Sequence, residues 1–130
     1  MPNRHIALTT LVVRDYDEAI TFYRDKAGFA LIEDTPLGGA KRWVVMAPAA
    51  GGAALLLARA DGEAQSARVG DQTGGRVGFF LYTDDFERDH AAMTANGVTF
   101  IRPPVRERYG LVAVWEDLYG NRWDLLQPSD

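Results

Sequence analysis

The stretch Asp15-Tyr16-Asp17-Glu18 is matched further along the chain by Asp84-Asp85-Phe86-Glu87, and this repeated signal indicates a duplicated structural unit. In each stretch an aspartate stands three residues before a glutamate, which is typical of a helix N-cap followed by an acid that the helix dipole favours. Gly28 and Gly97 each follow the first aspartate by the same spacing, where a left-handed residue ends a helix. The sequence therefore predicts two helices with an offset of 69 residues (84 − 15 and 97 − 28).

Each predicted helix has one apolar face and is surrounded by predicted strands. The faces consist of Ala19, Phe22, Tyr23 and Ala27 in the first helix, and of Phe86, His90, Met93 and Gly97 in the second. Strands are predicted at residues 6–13, 29–34, 42–46 and 53–58, and again at 77–83, 98–102, 111–116 and 122–126, with turns at Gly38-Gly39, Gly51-Gly52, Pro103-Pro104 and Tyr119-Gly120-Asn121. Each half is thus a βαβββ module.

The modules are predicted at about residues 5–60 and 76–127, joined by the polar linker 61–75 within a single domain, 1–130. The net charge of −4 argues against nucleic acid as a ligand. The absence of cysteine excludes disulfides, thiolate nucleophiles and zinc sites built on sulfur. No apolar run is long enough to span a membrane, so we expect a soluble cytoplasmic protein without membrane partners.

The quoted motifs resemble one superfamily. Leu11-Val12-Val13-Arg14-Asp15 and Asp117-Leu118-Tyr119-Gly120-Asn121-Arg122-Trp123-Asp124-Leu125, together with Ala19, Phe22-Tyr23 and Gly28-Phe29, resemble the glyoxalase, bleomycin-resistance and extradiol-dioxygenase (vicinal oxygen chelate) superfamily. The resemblance covers nearly the whole chain and implies an α+β fold, in which two βαβββ modules form paired half-barrel sheets related by a pseudo-twofold. Members usually complete the cup by dimerisation. The resemblance therefore also implies a homodimer, for which the apolar strands 6–13 and 77–83 are expected as contact edges or as floors of the cup.

The same resemblance implies positions for a divalent metal, but these positions lack ligands here. They fall on Leu8, on Gly78 (or Val77 if the register slides by one) and on Asp124, and the strand 53–58 offers only alanine and leucine for a fourth ligand. One carboxylate is too little for zinc, iron or nickel. We therefore expect no metal and no other cofactor, with His5 at the surface and His90 in helix packing.

Other catalytic chemistries find no support, and no catalytic residue is assigned. The serines are Ser66 and Ser129, in the linker and at the tail, which disfavours a serine hydrolase. The glycine pairs lack a phosphate-binding pattern. The acidic pairs Asp84-Asp85 and Glu116-Asp117 occupy cap and turn positions.

Strand alternation predicts what lines the cup. Trp123 and Leu125 are expected under the helix, and Asp124 on the opposite face. One of the neighbours Arg42 and Trp43 must point into the cup. Asp124 is expected either to take up a proton or to find a cationic partner, for which Arg42 and Arg122 are the candidates. Tyr109 and Trp115 are either binding residues or core. The candidate ligand-binding set is Arg42, Trp43, Phe80, Tyr82, Tyr109, Trp115 and Asp124.

The resulting prediction is a small-molecule-binding protein of the bleomycin-resistance type that works without a metal. Its ligand is expected to be a flat or anionic organic compound, since aromatic side chains and one acid line the cup. The alternatives are a superfamily enzyme of the lyase, isomerase or dioxygenase type with a non-standard or absent metal site, and a scaffold or regulatory subunit.

Overall fold

The computed structural model describes residues 3–130, and the chain divides into two compact units, the first ending at Val69 and the second beginning at Gly70. The first unit contains β1 (Leu8–Val13), α1 (Tyr16–Thr21) continued by a π-helical turn (Phe22–Lys26), β2 (Ala30–Gly38), β3 (Lys41–Ala47), β4 (Ala54–Arg59) and α2 (Glu63–Ser66). The second unit contains β5 (Val77–Tyr82), α3 (Phe86–Ala95), β6 (Thr99–Glu107), β7 (Gly110–Glu116) and β8 (Arg122–Pro128). The predicted linker 61–75 contains both this boundary and α2.

Each unit has one four-stranded sheet, and the two sheets have the same topology. Their strand orders are β1-β4-β3-β2 and β5-β8-β7-β6. In each unit the last strand is central, and it pairs in parallel with the first strand and antiparallel with the third. The predicted α+β fold of two βαβββ modules is confirmed. Within residues 3–130, no helix has the length and apolar character that a membrane crossing requires.

The helix-facing side of each sheet forms the core of its unit. In the first unit Leu11 and Val13 are fully buried, as are Ala19 and Tyr23 of the first helical segment. In the second unit the core is a column of three stacked rings, with 4.8 Å between the centroids of Phe79 and Trp123, and 4.8 Å between those of Trp123 and Trp115. The opposite side of each sheet is its open face.

The two helices begin with aspartate caps, but the second cap is one residue later than predicted. The Asp15 carboxylate accepts a hydrogen bond from the Glu18 backbone N–H at 2.9 Å, which confirms the first cap. In the second unit it is Asp85 that accepts, from the Arg88 backbone N–H at 3.1 Å. Asp84 lies outside the helix and accepts from the Arg88 guanidinium instead. The prediction of Asp84 as the cap was therefore wrong.

The π-helical turn of the first unit explains this one-residue difference. Thirteen residues separate the cap Asp15 from Gly28, but only twelve separate Asp85 from Gly97. Both glycines have positive φ, +80° and +92°, and end their helical segments as predicted. A π turn accommodates one inserted residue in a helix. The first helical segment thus contains the extra residue.

The predicted turn at Pro103-Pro104 is also wrong, because β6 runs through both prolines to Glu107. Proline has no N–H for the ladder and is tolerated in an edge strand at a bulge. β6 is such an edge strand, and its register with β7 shifts between Arg102 and Val105. The chain turns instead at Arg108 and Tyr109, between β6 and β7.

Candidate functional site

One row of side chains crosses all four strands on the open face of the second sheet. Asp124 of β8 pairs with Phe80 of β5 on one side and with Val114 of β7 on the other. Val114 in turn pairs with Arg102 of β6. Because successive residues of a strand point to opposite faces, Asp124 points away from the buried ring of Trp123. The row therefore places the carboxylate of Asp124 and the guanidinium of Arg102 on the same face as the exposed ring of Phe80.

A cavity of about 500 Å³ lies over this row. Two aromatic side chains contribute to it while remaining largely exposed, Phe80 at 59% and Tyr109 at 55%. The cavity is lined by Gly75, Arg76, Val77, Phe80, Arg102, Pro103, Val105, Glu107, Tyr109, Val112, Ala113, Val114, Arg122 and Asp124. Apolar walls around a few charged groups are the usual composition of a small-molecule pocket.

Asp124 is the most unusual group of this cavity. It is only 9% exposed, and its carboxylate takes part in no hydrogen bond or ion pair with any of residues 3–130. Burial raises the pKa of Asp124, and the nearby charge of Arg102 partly opposes that rise. A buried carboxylate without a partner is costly. Its position on the cavity floor leaves it accessible to a ligand.

The cationic partners predicted for Asp124 are bonded elsewhere. The guanidinium of Arg42 contacts Asp34 at 2.6 Å and Asp17 at 3.0 Å, both in the first unit. The Arg122 guanidinium donates to the Gly75 carbonyl at 3.0 Å. Of the two outcomes expected for Asp124, a raised pKa or a cationic partner, the pairing with Arg42 or Arg122 is not found, because Arg42 is bonded to two aspartates of the first unit and Arg122 to a backbone carbonyl before β5.

Arg42 lies on the helix side of the first sheet. Its backbone N–H donates to the Tyr16 hydroxyl at 3.1 Å, and its guanidinium lies 4.9 Å from the centre of the Tyr16 ring. Trp43, the next residue, is 36% exposed and by alternation points to the open face. Both residues line a cavity of about 630 Å³ where β3 and β4 separate beyond the pair Val44 and Leu57. Of the two neighbours, it is therefore Trp43 and not Arg42 that points to the open face, and Arg42 is corrected as a candidate on that face.

Trp115 and Tyr82 lie outside the second cavity for different reasons. Trp115 is fully buried, because its partner across the ladder is Trp123 and both rings face the core. The prediction that Trp115 contacts a ligand is corrected. Tyr82 shares the open face with Phe80 and is 64% exposed, but it does not line the cavity.

The metal positions of the superfamily do not fit a metal here. Leu8 has no donor atom, and a Cβ atom built at Gly78 would lie 2.6 Å from Cγ2 of Thr73, so a side chain there would collide. The Thr73 hydroxyl donates to the Arg76 carbonyl at 2.6 Å, which fixes the obstructing turn. Within residues 3–130 no group of three or more histidines, cysteines or carboxylates is arranged so that it could hold a metal ion. Asp124 alone offers a ligand at these positions.

The two histidines have the expected surroundings. His5 is exposed. His90 is half-buried between aromatic rings, with its centroid 5.5 Å from that of Phe86 and 4.2 Å from that of Phe100. Neither histidine lines the second cavity.

Arg102 is the site residue that sequence analysis missed. Simple alternation places it on the same side as Phe100, which packs against His90 near the helix. The register shift between Phe100 and Arg102 reverses that side, and Arg102 lines the cavity. A bulge re-aims a side chain in this way. The adjacent Pro103-Pro104 was the available signal, and it indicated a turn instead.

Comparison with known proteins connects this geometry to one group. The sequence model of the Glyoxalase/Bleomycin resistance protein/Dioxygenase superfamily matches residues 5–125. A protein of Shewanella frigidimarina (strain NCIMB 400) is 56% identical over 128 residues, covering 97% of this chain and 93% of the relative. The structure of TnmS3, an antibiotic binding protein from Streptomyces sp. CB03234, is 31% identical, covers 99% of both chains and superposes with a TM-score of 0.79. The structure of UcmS2 is 26% identical, with coverage of 96% and 98% and a TM-score of 0.82.

Proposed function

We propose that this chain, which belongs to the Glyoxalase/Bleomycin resistance protein/Dioxygenase superfamily, is a metal-independent small-molecule-binding protein. Its ligand is a flat organic compound that lies in the cavity of the second unit. The observation that carries the proposal is the open-face row of Phe80, Asp124, Val114 and Arg102 beneath a cavity of about 500 Å³.

The lining of this cavity favours a planar ligand. Phe80 and Tyr109 are more than half exposed, so their rings can stack on a flat molecule without first being uncovered. An aromatic pair contributes about 0.5–1.5 kcal/mol beyond its buried area. Val112 and Val114 supply an apolar floor between the strands. A cavity in the range of about 300–1,000 Å³ suits a small organic ligand.

The relatives support a binding role. TnmS3, at 31% identity over nearly the full length, is described as an antibiotic binding protein. Metal independence is supported by the residues themselves, since Leu8 and Gly78 carry no donor and the Thr73 side chain obstructs position 78. A cytoplasmic location completes the proposal.

The proposal includes a two-fold homodimer. Large apolar side chains are exposed on or beside the first strand of each unit, with Ile6 at 78% and Tyr82 at 64% exposure. A second copy of the chain would cover such side chains in a self-complementary contact. Light scattering is expected to give about twice the 14.3 kDa of one chain. A constant mass near 14.3 kDa over a wide concentration range would exclude the dimer.

Calorimetric titration with a library of planar aromatic compounds tests the binding role. We expect Phe80→Ala and Tyr109→Ala each to weaken the best ligand about tenfold, since each removes one stacking surface. Ile32→Ala is the matched control, because Ile32 is 61% exposed on β2 of the first unit and is expected to leave affinity unchanged. Metal chelation is also expected to leave affinity unchanged. Equal effects of all three variants, or loss of binding on chelation, would contradict the proposal.

A further inference from the structure

We propose that the second cavity selects planar aromatic compounds that carry a hydrogen-bond donor at one end and an anionic group at the other. Asp124 accepts the hydrogen bond from the donor, and Arg102 pairs with the anion. This inference rests on the proposed binding function and names its ligand class.

The argument for the donor begins with the burial of Asp124. The residue is nine-tenths buried, lines the cavity and bonds to no side chain or backbone group of residues 3–130. The carboxylate lies on the cavity floor and is not closed off from the cavity, so a donor that enters the cavity can form a hydrogen bond with it. A hydroxyl or amino group on a ligand would supply that hydrogen bond. A carboxylate on the ligand would instead be repelled.

The argument for the anion comes from the charges around the cavity rim. Three arginines and two acids line the cavity, namely Arg76, Arg102, Arg122, Glu107 and Asp124. Arg122 is already bonded to the Gly75 carbonyl, whereas Arg76 and Arg102 are exposed and have no ion-pair partner among residues 3–130; of these two, Arg102 belongs to the row that crosses the open face. A guanidinium binds a carboxylate through two parallel hydrogen bonds. Arg102 is thus the group in the row that is available to an anion.

The row sets the spacing of these two groups. β7 lies between β8, which carries Asp124, and β6, which carries Arg102. Neighbouring strands are about 4.8 Å apart, so the two backbones are separated by about 10 Å. Val114 lies between them and gives an apolar surface for a ring system. A fused two-ring compound with substituents at opposite ends can extend over Val114 from β8 towards β6.

Three naphthalenes test the inference: 6-hydroxy-2-naphthoate, 2-naphthoate without the donor, and 2-naphthol without the anion. We expect 6-hydroxy-2-naphthoate to bind the wild-type protein about tenfold more tightly than either of the others, since a hydrogen bond to a charged group is involved at each end. In Asp124→Leu the advantage over 2-naphthoate is expected to vanish. In Arg102→Gln, 6-hydroxy-2-naphthoate is expected to lose its higher affinity relative to 2-naphthol but to keep its higher affinity relative to 2-naphthoate.

Two controls separate recognition from damage to the fold. Arg106→Gln removes another exposed arginine of β6 that does not line this cavity, and it is expected to leave all three affinities unchanged. Asp124→Asn keeps the size of the side chain and is expected to reduce the donor advantage without abolishing it. Thermal unfolding of every variant establishes that it is folded before titration.

The outcomes distinguish the two proposals. The inference is overturned if 6-hydroxy-2-naphthoate has no higher affinity than 2-naphthoate for the wild type, just as for Asp124→Leu. Asp124 would then not recognise a hydrogen-bond donor, while the proposed binding function would still hold. An unchanged advantage over 2-naphthol in Arg102→Gln would likewise overturn the role of Arg102. If none of the three naphthalenes binds the wild type at millimolar concentration, the proposed function fails, and the inference fails with it.

Discussion

The two sheets have the same topology, but the same row of their open faces has different chemistry. In the second unit the row consists of Phe80, Asp124, Val114 and Arg102. In the first unit the corresponding pairs give Thr10, Leu56, Val45 and Glu33. Leu56 thus occupies the place of Asp124. Since the first sheet forms with leucine there, this topology does not require an acid at the centre of the row, which favours a role for Asp124 outside folding.

The helix-facing sides of the same strands differ in the side chains that pack there, and this difference affects stability. Trp115 pairs with Trp123 in the second unit, and Met46 pairs with Leu55 in the first. All four side chains are buried, but only the second unit stacks rings there, at 17° between the two indole planes. The core of the second unit therefore depends on the shape of a few large side chains.

The largest expected effect follows from that ring column. Trp115→Ala is expected to lower the free energy of unfolding by about 4 kcal/mol, because it removes a fully buried indole and leaves a cavity. Trp115→Phe keeps a ring against Trp123 and is expected to cost less than half as much. Met46→Ala gives the comparison in the first unit, at about 3 kcal/mol. Urea unfolding measures all three, and equal costs for Trp115→Ala and Trp115→Phe would show that stacking contributes little.

Exchanging the residue types at Leu56 and Asp124, which occupy the same place in the two open-face rows, is expected to have opposite effects on stability. Leu56→Asp is expected to lower the free energy of unfolding by about 3 kcal/mol, since it removes apolar contact and adds a poorly solvated charge. Asp124→Leu is expected to raise it by about 1 kcal/mol, because it removes a buried carboxylate that has no partner among residues 3–130. Thermal unfolding at neutral pH measures both. Destabilisation by Asp124→Leu would contradict a purely ligand-directed role for Asp124.

The repeat could be predicted from the sequence because its signals are local. Asp15 and Gly28 act on the backbone within a few residues, and they bound the first helical segment as expected. The constant offset of 69 residues nevertheless led to the wrong residue for the second cap, since it assumes that both helices are equally long. An inserted residue absorbed by a π turn leaves no local mark in the sequence. The correct cap, Asp85, therefore required the structure.

The candidate site could be predicted only where alternation holds. Phe80 and Asp124 lie on the open face as the period of two predicts. The sequence left two roles open for Trp115, binding residue or core, because its side depends on its ladder partner Trp123, and the register between two strands is a long-range property; the structure shows it in the core. Arg102 was missed because the register shift near the two prolines reverses its side. Site residues are thus predictable from the sequence only where no bulge or strand register decides which face they occupy.

The two adjacent aspartates at the start of α3 allow a sharper test of the helix caps. Asp85→Ala is expected to lower the free energy of unfolding by about 1 kcal/mol, because it removes the acceptor of the Arg88 backbone N–H. Asp15→Ala is expected to cost a similar amount in the first unit. Asp84→Ala is the control and is expected to change little, since this side chain is 91% exposed. A larger loss in Asp84→Ala than in Asp85→Ala, measured by urea unfolding, would reassign the cap.

The smallest expected effect distinguishes Arg42, on the helix side of the first sheet, from Arg102, on the open face of the second. Arg42 is bonded to Asp34 and Asp17, whereas Arg102 has no ion pair within residues 3–130. Arg42→Gln is expected to lower the free energy of unfolding by less than about 1 kcal/mol at neutral pH, since the ion pairs are partly exposed. Arg102→Gln is expected to leave it unchanged.

The loss in Arg42→Gln should depend on pH in a defined direction. Hydrogen bonding from Arg42 lowers the pKa of Asp34 below its ordinary value of 3.8. The stability gained from a lowered carboxyl pKa is fully present above the ordinary value, and it is lost as the pH falls through the lowered one. The difference in melting temperature between wild type and Arg42→Gln is therefore expected to be constant above about pH 5 and to shrink below pH 3.8. A difference that stays constant into strong acid would assign the role of Arg42 to its contact with the Tyr16 ring, because that contact does not titrate in this range.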